Sequence, residues 1–165
     1  MTIVFDASTL ILLAKIDMLG IVAERSTLFI PRAVKDEALA ANSLDATAIR
    51  YLIDSSRIRV SSVQSRQQYE KIVADFRLHA GEAEALCLAL EVSAPVAVDD
   101  GPAIKACKIL GIPFITAIHF VVNCAQAGSL DRVIAREKLK KLAYIGRYRI
   151  QIIQDAEKRI AGEMI

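Results

Sequence analysis

Residues 1–9 read MTIVFDAST, an apolar run that stops abruptly at an acidic residue. Ile3, Val4 and Phe5 form a continuous apolar segment, which is typical of a β-strand covered on both faces. The next residues, ASTLILLAK, have the apolar spacing of a helix, so the chain is predicted to begin as a strand followed by a helix. Asp6 lies at the junction. A carboxylate there either caps the helix or serves a binding site, because a buried charge without a partner is costly.

Short apolar runs and helix-period segments alternate along the rest of the chain. Helical patterns include GEAEALCLALEV, in which the apolar residues recur at i, i+3, i+4 and i+7. The predicted strands are TIVF, TLFIP, RIRVSSV, APVAV and IPFIT. Strands that alternate with helices predict an α/β fold with three α/β/α layers and a central parallel sheet of four to five strands. After Thr116 only helical patterns follow, which predicts additional C-terminal helices.

The length of 165 residues is close to the usual ~150 residues per domain, which predicts a single domain. We expect a core at about 1–128 and a C-terminal helical extension at about 129–165. The absence of a long apolar run and of a secretory signal predicts a cytoplasmic protein without a membrane partner. The cysteines fall within apolar helical patterns and are predicted to be buried, reduced thiols; they are Cys87, Cys107 and Cys124.

The charge and hydropathy of the chain bear on its partners. The net charge of +2 is too small to predict nucleic-acid binding by itself, but residues 129–165 carry nine Lys or Arg against five Asp or Glu. In that region, LKKLAYIGRYRI interleaves basic residues with Tyr144 and Tyr148. A packing helix is the favoured interpretation, and contact with phosphates and a base is the alternative. The hydrophobic fraction of 54% predicts an apolar interface, most simply in a homo-oligomer.

Acidic residues recur where the predicted strands end, or one helical turn from such an end. Singly, each has an ordinary explanation as a helix cap or a solvated helix face. Because the carboxyl ends of parallel strands meet at one edge of a sheet, we expect these residues to lie together. The residues are Asp6 with Ser8 after the first strand, Glu37 after the second, and Glu82, Asp99 and Asp100 around the fourth.

A cluster of carboxylates at one sheet edge indicates a metal site. Neighbouring carboxylates raise each other's pKa, and a bound cation removes that penalty. Oxygen ligands alone favour Mg²⁺ or Mn²⁺, and two such ions would stabilise both the attacking water and the leaving oxygen of a phosphodiester. The pattern therefore predicts a metal-dependent nuclease, in which Ser8 would orient a carboxylate by hydrogen bonding.

Four motifs make residues 2–116 resemble a PIN domain, the fold of VapC-type toxin ribonucleases, and in particular a branch with GE-x-EA and DD motifs. The motifs are IVFDAST, IPRAVKDEAL, AGEAEALCLALE and VAVDDGPAIKACKILGI. The resemblance implies an endoribonuclease dependent on Mg²⁺ or Mn²⁺ that leaves 5′-phosphate and 3′-hydroxyl ends, with RNA as substrate and an antitoxin protein as a further partner. It implies catalytic, metal-binding acids at Asp6, Glu37, Glu82 and Asp100, with Asp99 as an adjacent metal ligand.

Two of these assignments stay open on the residue pattern alone. Glu82 and Glu84 lie on opposite flanks of the apolar stripe of their helix, so periodicity does not choose between them. Alignment with the related toxins favours Glu82, and it favours Asp100 over Asp99. Lys105 follows the DD motif where members of the branch often carry an Arg, which implies a substrate contact, although an ammonium lacks the bidentate fork of a guanidinium.

Two other functions fit parts of the pattern. A PIN-like scaffold that binds RNA or a protein partner would keep the acids without efficient turnover, and metal-dependent cleavage of RNA distinguishes it from a nuclease. A phosphatase of the haloacid dehalogenase type also begins with an apolar strand that ends in Asp. That class requires a second Asp two residues later, where this chain has Ser8.

Overall fold

The computed structural model describes residues 1–163, which form five strands and ten helices. The strands are β1 (Thr2–Phe5), β2 (Thr27–Pro31), β3 (Ile58–Ser61), β4 (Val96–Ala97) and β5 (Phe114–Ile115). The helices are α1 (Ala7–Lys15), α2 (Leu19–Arg25), α3 (Arg32–Ala38), α4 (Leu44–Asp54), α5 (Arg66–Phe76), α6 (Ala80–Glu91), α7 (Gly101–Leu110), α8 (Ala117–Gln126), α9 (Arg132–Ile145) and α10 (Ile150–Ala161). All five predicted strands are present, and the sequence does not predict α2 and α5.

The strands form one parallel sheet with the order β3-β2-β1-β4-β5. The predicted fold class is therefore confirmed, with the larger of the two predicted strand numbers. Strands β2 and β3 lie on one side of β1, and β4 and β5 lie on the other side. The direction of winding thus reverses between β1 and β4, and open α/β sheets bind ligands at such a switch point, outside the carboxyl ends of the strands.

Helices cover both faces of the sheet. Val4, Val96 and Val98 are buried in an apolar cluster with residues of α5, α6 and α7, such as Ile72 and Leu86. Side chains alternate along a strand, so the neighbouring residues of β1 and β2 point to the opposite face, where they are fully buried. Those neighbours are Ile3, Phe5, Leu28 and Ile30. On that side α1 packs against α3 and α4, as right-handed β1-β2 and β2-β3 crossovers require.

The packing divides the chain into two compact units, Met1–Ile115 and a second unit that begins at Thr116. The first unit contains the sheet and α1 to α7, and the second contains α8, α9 and α10, which pack on one another. The sequence predicts a single domain with a core at about 1–128 and a helical extension at about 129–165, and this division stays a prediction. Of the helices in residues 1–163, none combines the length and the apolar composition needed to cross a bilayer.

Two sequence features explain why α2 and α5 escape prediction. Helix α2 has only seven residues, too few to display a helical period against its apolar surroundings. Helix α5 fully buries a single residue, Ile72, so its sequence RQQYEKIVADF is mostly solvated. Its preceding loop is instead held by Glu91, whose carboxylate accepts hydrogen bonds from the backbone N–H groups of Gln64 and Ser65.

The predicted burial of all three cysteines is confirmed, and none of them forms a disulfide in the structure. Burial raises the pKa of Cys87 to about 11, and the carboxylate of Glu91 adds to the effect. Burial likewise raises the pKa of Cys107 to about 11. A thiol with so high a pKa carries little thiolate at neutral pH, so these two cysteines are packing residues with low nucleophilic reactivity.

Candidate active site

The candidate site lies at the switch point of the sheet, where β1 and β4 end side by side. Phe5 is paired with Ala97, and the backbone N–H of Asp6 donates to the carbonyl oxygen of Ala97 at 3.0 Å. Asp6 therefore follows β1 directly beside the end of β4, and Asp99 and Asp100 follow β4 two and three residues later. The topology brings three of the predicted acids to one edge of the first unit.

Asp6 is a buried carboxylate at the start of α1, with 1% of its surface exposed. Its Oδ1 accepts a hydrogen bond from the backbone N–H of Thr9 at 2.8 Å, and its Oδ2 accepts one from Ser8 Oγ at 2.9 Å. Burial raises the pKa of Asp6 from 3.8 to about 7, the hydrogen bonds oppose this rise, and the charge of Asp99 adds to it. Asp6 thus caps α1, and its burial makes ionisation of its carboxyl group unfavourable in the folded protein.

Thr9 joins Asp6 to Asp99. Its backbone N–H binds Asp6, and its buried hydroxyl donates to Asp99 Oδ2 at 2.8 Å. One residue therefore fixes a carboxylate oxygen of each acid. Thr9 is not among the residues predicted from the sequence. The spacing Asp-x-x-Thr offers a signal for it, since the third helical residue is the one that pairs with a capping side chain.

Glu82, Asp100 and Glu37 form a second group of acids. Glu82 lies in the first turn of α6, where its Oε2 accepts a hydrogen bond from the backbone N–H of His79 at 3.0 Å. Burial raises the pKa of Glu82, and the nearby charges of Asp100 and Glu37 raise it further. Asp100 caps α7 through a hydrogen bond of 3.3 Å from the backbone N–H of Ala103 to Oδ2. Asp6, Glu82 and Asp100 therefore do cap helices. Capping alone does not explain why these acids lie at the same edge of the sheet.

The exposed side chain of Glu37 reaches this group by passing over Gly81. A Cβ placed on Gly81 would lie 3.0 Å from Glu37 Oε2 and 3.5 Å from Val34 Cγ2. Helices α3 and α6 contact each other, and the glycine lets the first turn of α6 approach the Glu37 carboxylate. The GE pair in AGEAEALCLALE thus combines an acid with the space that its neighbour from α3 needs.

We expect the Gly81→Ala variant to lose activity by about threefold to tenfold, since small displacements of a catalytic group reduce rates steeply. Its stability should change by less than about 1 kcal/mol, because alanine favours the helix and Glu37 has a flexible end. Steady-state kinetics and thermal melts measure both effects. Gly20→Ala is the matched control, because a Cβ at Gly20 meets no atom within 4 Å. Equal activity of the two variants would contradict a role for the Glu37 position.

The structure separates the acids that the sequence left ambiguous. Glu84 Oε2 accepts a hydrogen bond from the backbone N–H of Ala33 at 3.0 Å, so Glu84 stabilises the first turn of α3, while Glu82 lies near Asp100. This geometry supports Glu82 as the site residue. Both Asp99 and Asp100 lie near other acids of the candidate site. Asp99 shares Thr9 with Asp6, and Asp100 lies near Glu82.

Lys105 is exposed on α7, where it lines a groove of about 510 Å³ with Phe76, Pro102 and Ile109. This groove also includes Gly101, the residue after Asp100. The position is compatible with the predicted substrate contact, which stays a prediction.

The donor set fits a hard divalent cation in chemistry and charge, since every candidate ligand is a carboxylate. As the side chains of residues 1–163 stand, no three His, Cys, Asp or Glu residues are close enough to hold a metal ion. The acids form two adjoining groups, and a shared coordination sphere requires side-chain rotation. Glu37 is exposed and Glu82 and Asp100 are half-buried, so solvent leaves these side chains free to rotate in part, whereas hydrogen bonds to Thr9 hold Asp6 and Asp99.

Fold and site together define an α/β protein with a carboxylate site at a topological switch point. A protein-family model described as "DUF3368: PIN domain" matches residues 2–158, so the chain belongs to the PIN-domain family. None of the curated proteins matches the sequence. The resemblance to PIN domains is confirmed, and the match continues past residue 116 through most of the C-terminal helices. PIN domains are in general nucleases, and they typically use divalent metal ions.

Proposed function

We propose that the protein is an endoribonuclease dependent on Mg²⁺ or Mn²⁺. The observation that carries this proposal is the buried carboxylate of Asp6, whose pKa is raised to about 7, beside the carboxylate of Asp99 at the switch point of a PIN-domain sheet. An acid is seldom kept in such a position for stability, because ionisation there opposes folding. A bound cation reverses the penalty and gives the acid a use.

The balance of charge around the acids supports the metal. Within residues 1–163, no Lys or Arg forms a salt bridge with Asp6, Glu37, Glu82 or Asp100. Neighbouring carboxylates attract a small, hard cation. Asp6, Glu37, Glu82, Asp99 and Asp100 would supply the oxygen ligands.

The proposed chemistry is hydrolysis of a phosphodiester bond. A divalent cation bound by these carboxylates would stabilise charge on the phosphoryl and leaving oxygens and lower the pKa of an attacking water. The chain's own contribution is to position the carboxylates by hydrogen bonding. Thr9 binds one oxygen of Asp6 and one oxygen of Asp99, and Ser8 binds the second oxygen of Asp6. Such hydrogen bonds orient carboxylates and are commonly important for metal affinity. The choice of RNA as substrate rests on the resemblance to toxin ribonucleases.

We expect the purified protein to cleave single-stranded RNA when Mg²⁺ or Mn²⁺ is present and to lose that activity in EDTA. Electrophoresis of an end-labelled RNA measures the products, which should carry 5′-phosphate and 3′-hydroxyl ends. Restoring the divalent ion should restore cleavage. Turnover that continues in EDTA would contradict the metal-dependent mechanism, and binding of RNA without turnover under all metal conditions would favour the scaffold alternative.

Two further proposals concern the partners of the protein. A role as the toxin of a toxin–antitoxin pair in the cytoplasm rests on the VapC-type resemblance, and a small antitoxin-like neighbouring reading frame would support it. A homo-oligomer rests on the hydrophobic composition and on exposed apolar side chains such as Leu44 of α4. Light scattering of the purified protein tests that state, and a monomer at high concentration would contradict it.

A further inference from the structure

Helix α9 of the C-terminal unit has one packed face and one solvated face. Ala135, Leu139 and Leu142 are buried at i, i+4 and i+7, and α9 packs against α8 and α10. The favoured interpretation of this segment as a packing helix therefore describes only one side of it. The other side carries Arg136, Lys140, Lys141 and Tyr144, which are all exposed and are named here the α9 basic face.

The α9 basic face belongs to the most basic stretch of the second unit. Residues 136–149 contain six Lys or Arg and one Glu, a net charge of +5, whereas the whole chain has a net charge of +2. The remaining residues consequently carry a net charge of −3. Arg136, Lys140 and Tyr144 follow one another at intervals of four residues, so they form a stripe roughly 12 Å long on one side of the helix. A stripe of two cations and an aromatic ring suits the phosphates and a base of a nucleic-acid strand.

Acidic residues compete for one cation of this face, since Glu137 pairs with Lys140 and the charge of Glu157 on α10 also acts on it. Lys140 Nζ lies 2.8 Å from Glu137 Oε1, and the two side chains are 65% and 66% exposed. Exposed ion pairs of this kind contribute little to stability and exchange partners readily. Lys140 can therefore exchange Glu137 for a phosphate at small cost.

The two tyrosines of this region differ in what they offer. Tyr144 is 90% exposed, so its ring is open to stacking. Tyr148 is half-buried and packs on Gly146, where a Cβ would overlap Tyr148 Cε2 and lie 2.8 Å from Cδ2. Tyr148 therefore serves the turn between α9 and α10, and Tyr144 is the ring that remains for a ligand. Base stacking on an exposed aromatic ring is a common feature of single-strand binding.

A groove of about 680 Å³ adjoins this face between α9 and α10. Arg136 and Lys140 line it from α9, and Lys158 lines it from α10. Glu157 and Glu163 also line it, so the α9 rim is its more basic side. An anionic chain is accordingly expected along that rim.

We propose that the α9 basic face binds single-stranded RNA, with Lys140, Lys141 and Arg136 contacting phosphates and Tyr144 stacking on a base. This inference rests on the proposed function, because it takes RNA as the ligand. A protein partner is the alternative occupant of a face with an exposed tyrosine. Lysine is depleted in the cores of protein interfaces, and Lys140 and Lys141 lie one helical turn before this ring, so the charge favours nucleic acid.

The test compares RNA affinity in EDTA, where cleavage does not interfere. The probe is a fluorescent oligouridylate of about 20 nucleotides, which exceeds the usual site of a single-strand binding module. The variant Lys140→Ala/Lys141→Ala/Tyr144→Ala should bind about tenfold more weakly than wild type. For this variant the slope of log K against log salt concentration should be shallower by about 1.4. Each phosphate contact to a single strand contributes about 0.7, and the variant lacks two lysines.

Two control variants make this result specific. Arg25→Ala/Arg50→Ala/Tyr51→Ala removes two exposed cations and an exposed tyrosine from the first unit, and its affinity should stay within about twofold of wild type. Lys140→Arg/Lys141→Arg/Tyr144→Phe keeps the charges and the ring, and it should retain the affinity. Equal affinity of wild type and the alanine variant, or equal losses in both alanine variants, would overturn the inference.

The binding assay separates this inference from the proposed function. A wild-type protein that binds the probe through this face and never cleaves RNA refutes the nuclease proposal and supports the binding face. A protein that cleaves RNA with divalent ions, but whose alanine variant binds as wild type does, supports the nuclease and refutes the face.

Discussion

The Asp6→Asn variant is expected to cleave RNA roughly 100-fold more slowly than wild type, or more slowly still, at saturating Mn²⁺. Asparagine keeps the shape of the side chain and an oxygen that can accept the hydrogen bond from the Thr9 N–H, so α1 should remain capped. The substitution removes the negative charge at the most buried position of the site. Single-turnover cleavage of an end-labelled RNA measures the rate without interference from product release.

Asp54→Asn provides the matched control for this loss. Asp54 is an exposed carboxylate at the end of α4, and it has no part in the candidate site. Its substitution should leave the rate within about twofold of wild type. If Asp6→Asn and Asp54→Asn were equally active, Asp6 would be a helix cap and nothing more. Far-UV circular dichroism of both variants verifies that a slow variant is folded.

The same Asp6→Asn substitution is expected to stabilise the metal-free protein at about pH 8. The pKa of Asp6 rises from 3.8 to about 7 on folding, so the folded state holds this proton more tightly than the unfolded state does. Each unit of difference is worth about 1.4 kcal/mol, which gives an upper limit of about 4 kcal/mol for the cost of ionised Asp6 in the folded protein. Asparagine does not ionise and avoids this cost.

The pH dependence has a definite sign. Below about pH 4 Asp6 is protonated in both states, and its burial carries no ionisation cost. As the pH rises from about 4 to about 7, the unfolded state loses the proton first and the wild type becomes less stable. The advantage of Asp6→Asn should therefore be largest above pH 7 and shrink as the pH falls towards 4. Urea unfolding of both proteins in EDTA across this range measures the difference.

Divalent ions should reverse the order of stability. A cation at about 100 times its dissociation constant adds roughly 2.7 kcal/mol to the stability of the protein that binds it. Wild type should gain this stabilisation from Mn²⁺, and Asp6→Asn should gain much less. A helix cap alone lowers the pKa of a carboxylate, so it predicts that Asp gains stability relative to Asn as the pH rises and that neither responds to metal. Parallel unfolding curves at every pH would thus refute the raised pKa of Asp6.

Local patterns in the sequence were enough to predict the framework of the site. TIVF before Asp6 and APVAV before Asp99 are short apolar runs bounded by polar residues, and they contain the strands that end one residue before Asp6 and two residues before Asp99. Parallel topology then required the acids to share an edge, since it aligns the carboxyl ends of neighbouring strands. These inferences succeed because strand and helix periodicity depend on residues close in sequence.

The partners within the site depended on contacts between distant parts of the chain. Thr9 binds Asp99 across 90 residues, and Glu84 binds the N–H of Ala33 across 51 residues. Helical periodicity places Glu82 and Glu84 on opposite flanks of the apolar stripe of α6. It does not determine which of the two flanks lies near Asp100. The packing of α6 against α3 makes that choice, and it also brings Glu37 over Gly81.

The tyrosines of the C-terminal unit show the same division. Their spacing among basic residues is visible in LKKLAYIGRYRI, but only the fold exposes Tyr144 and packs Tyr148 on Gly146. Periodicity fixes which face of an element a residue occupies. The neighbour of that face is set by how the elements pack, because burial and hydrogen bonding are optimised over the whole molecule and depend on residues far away in the chain.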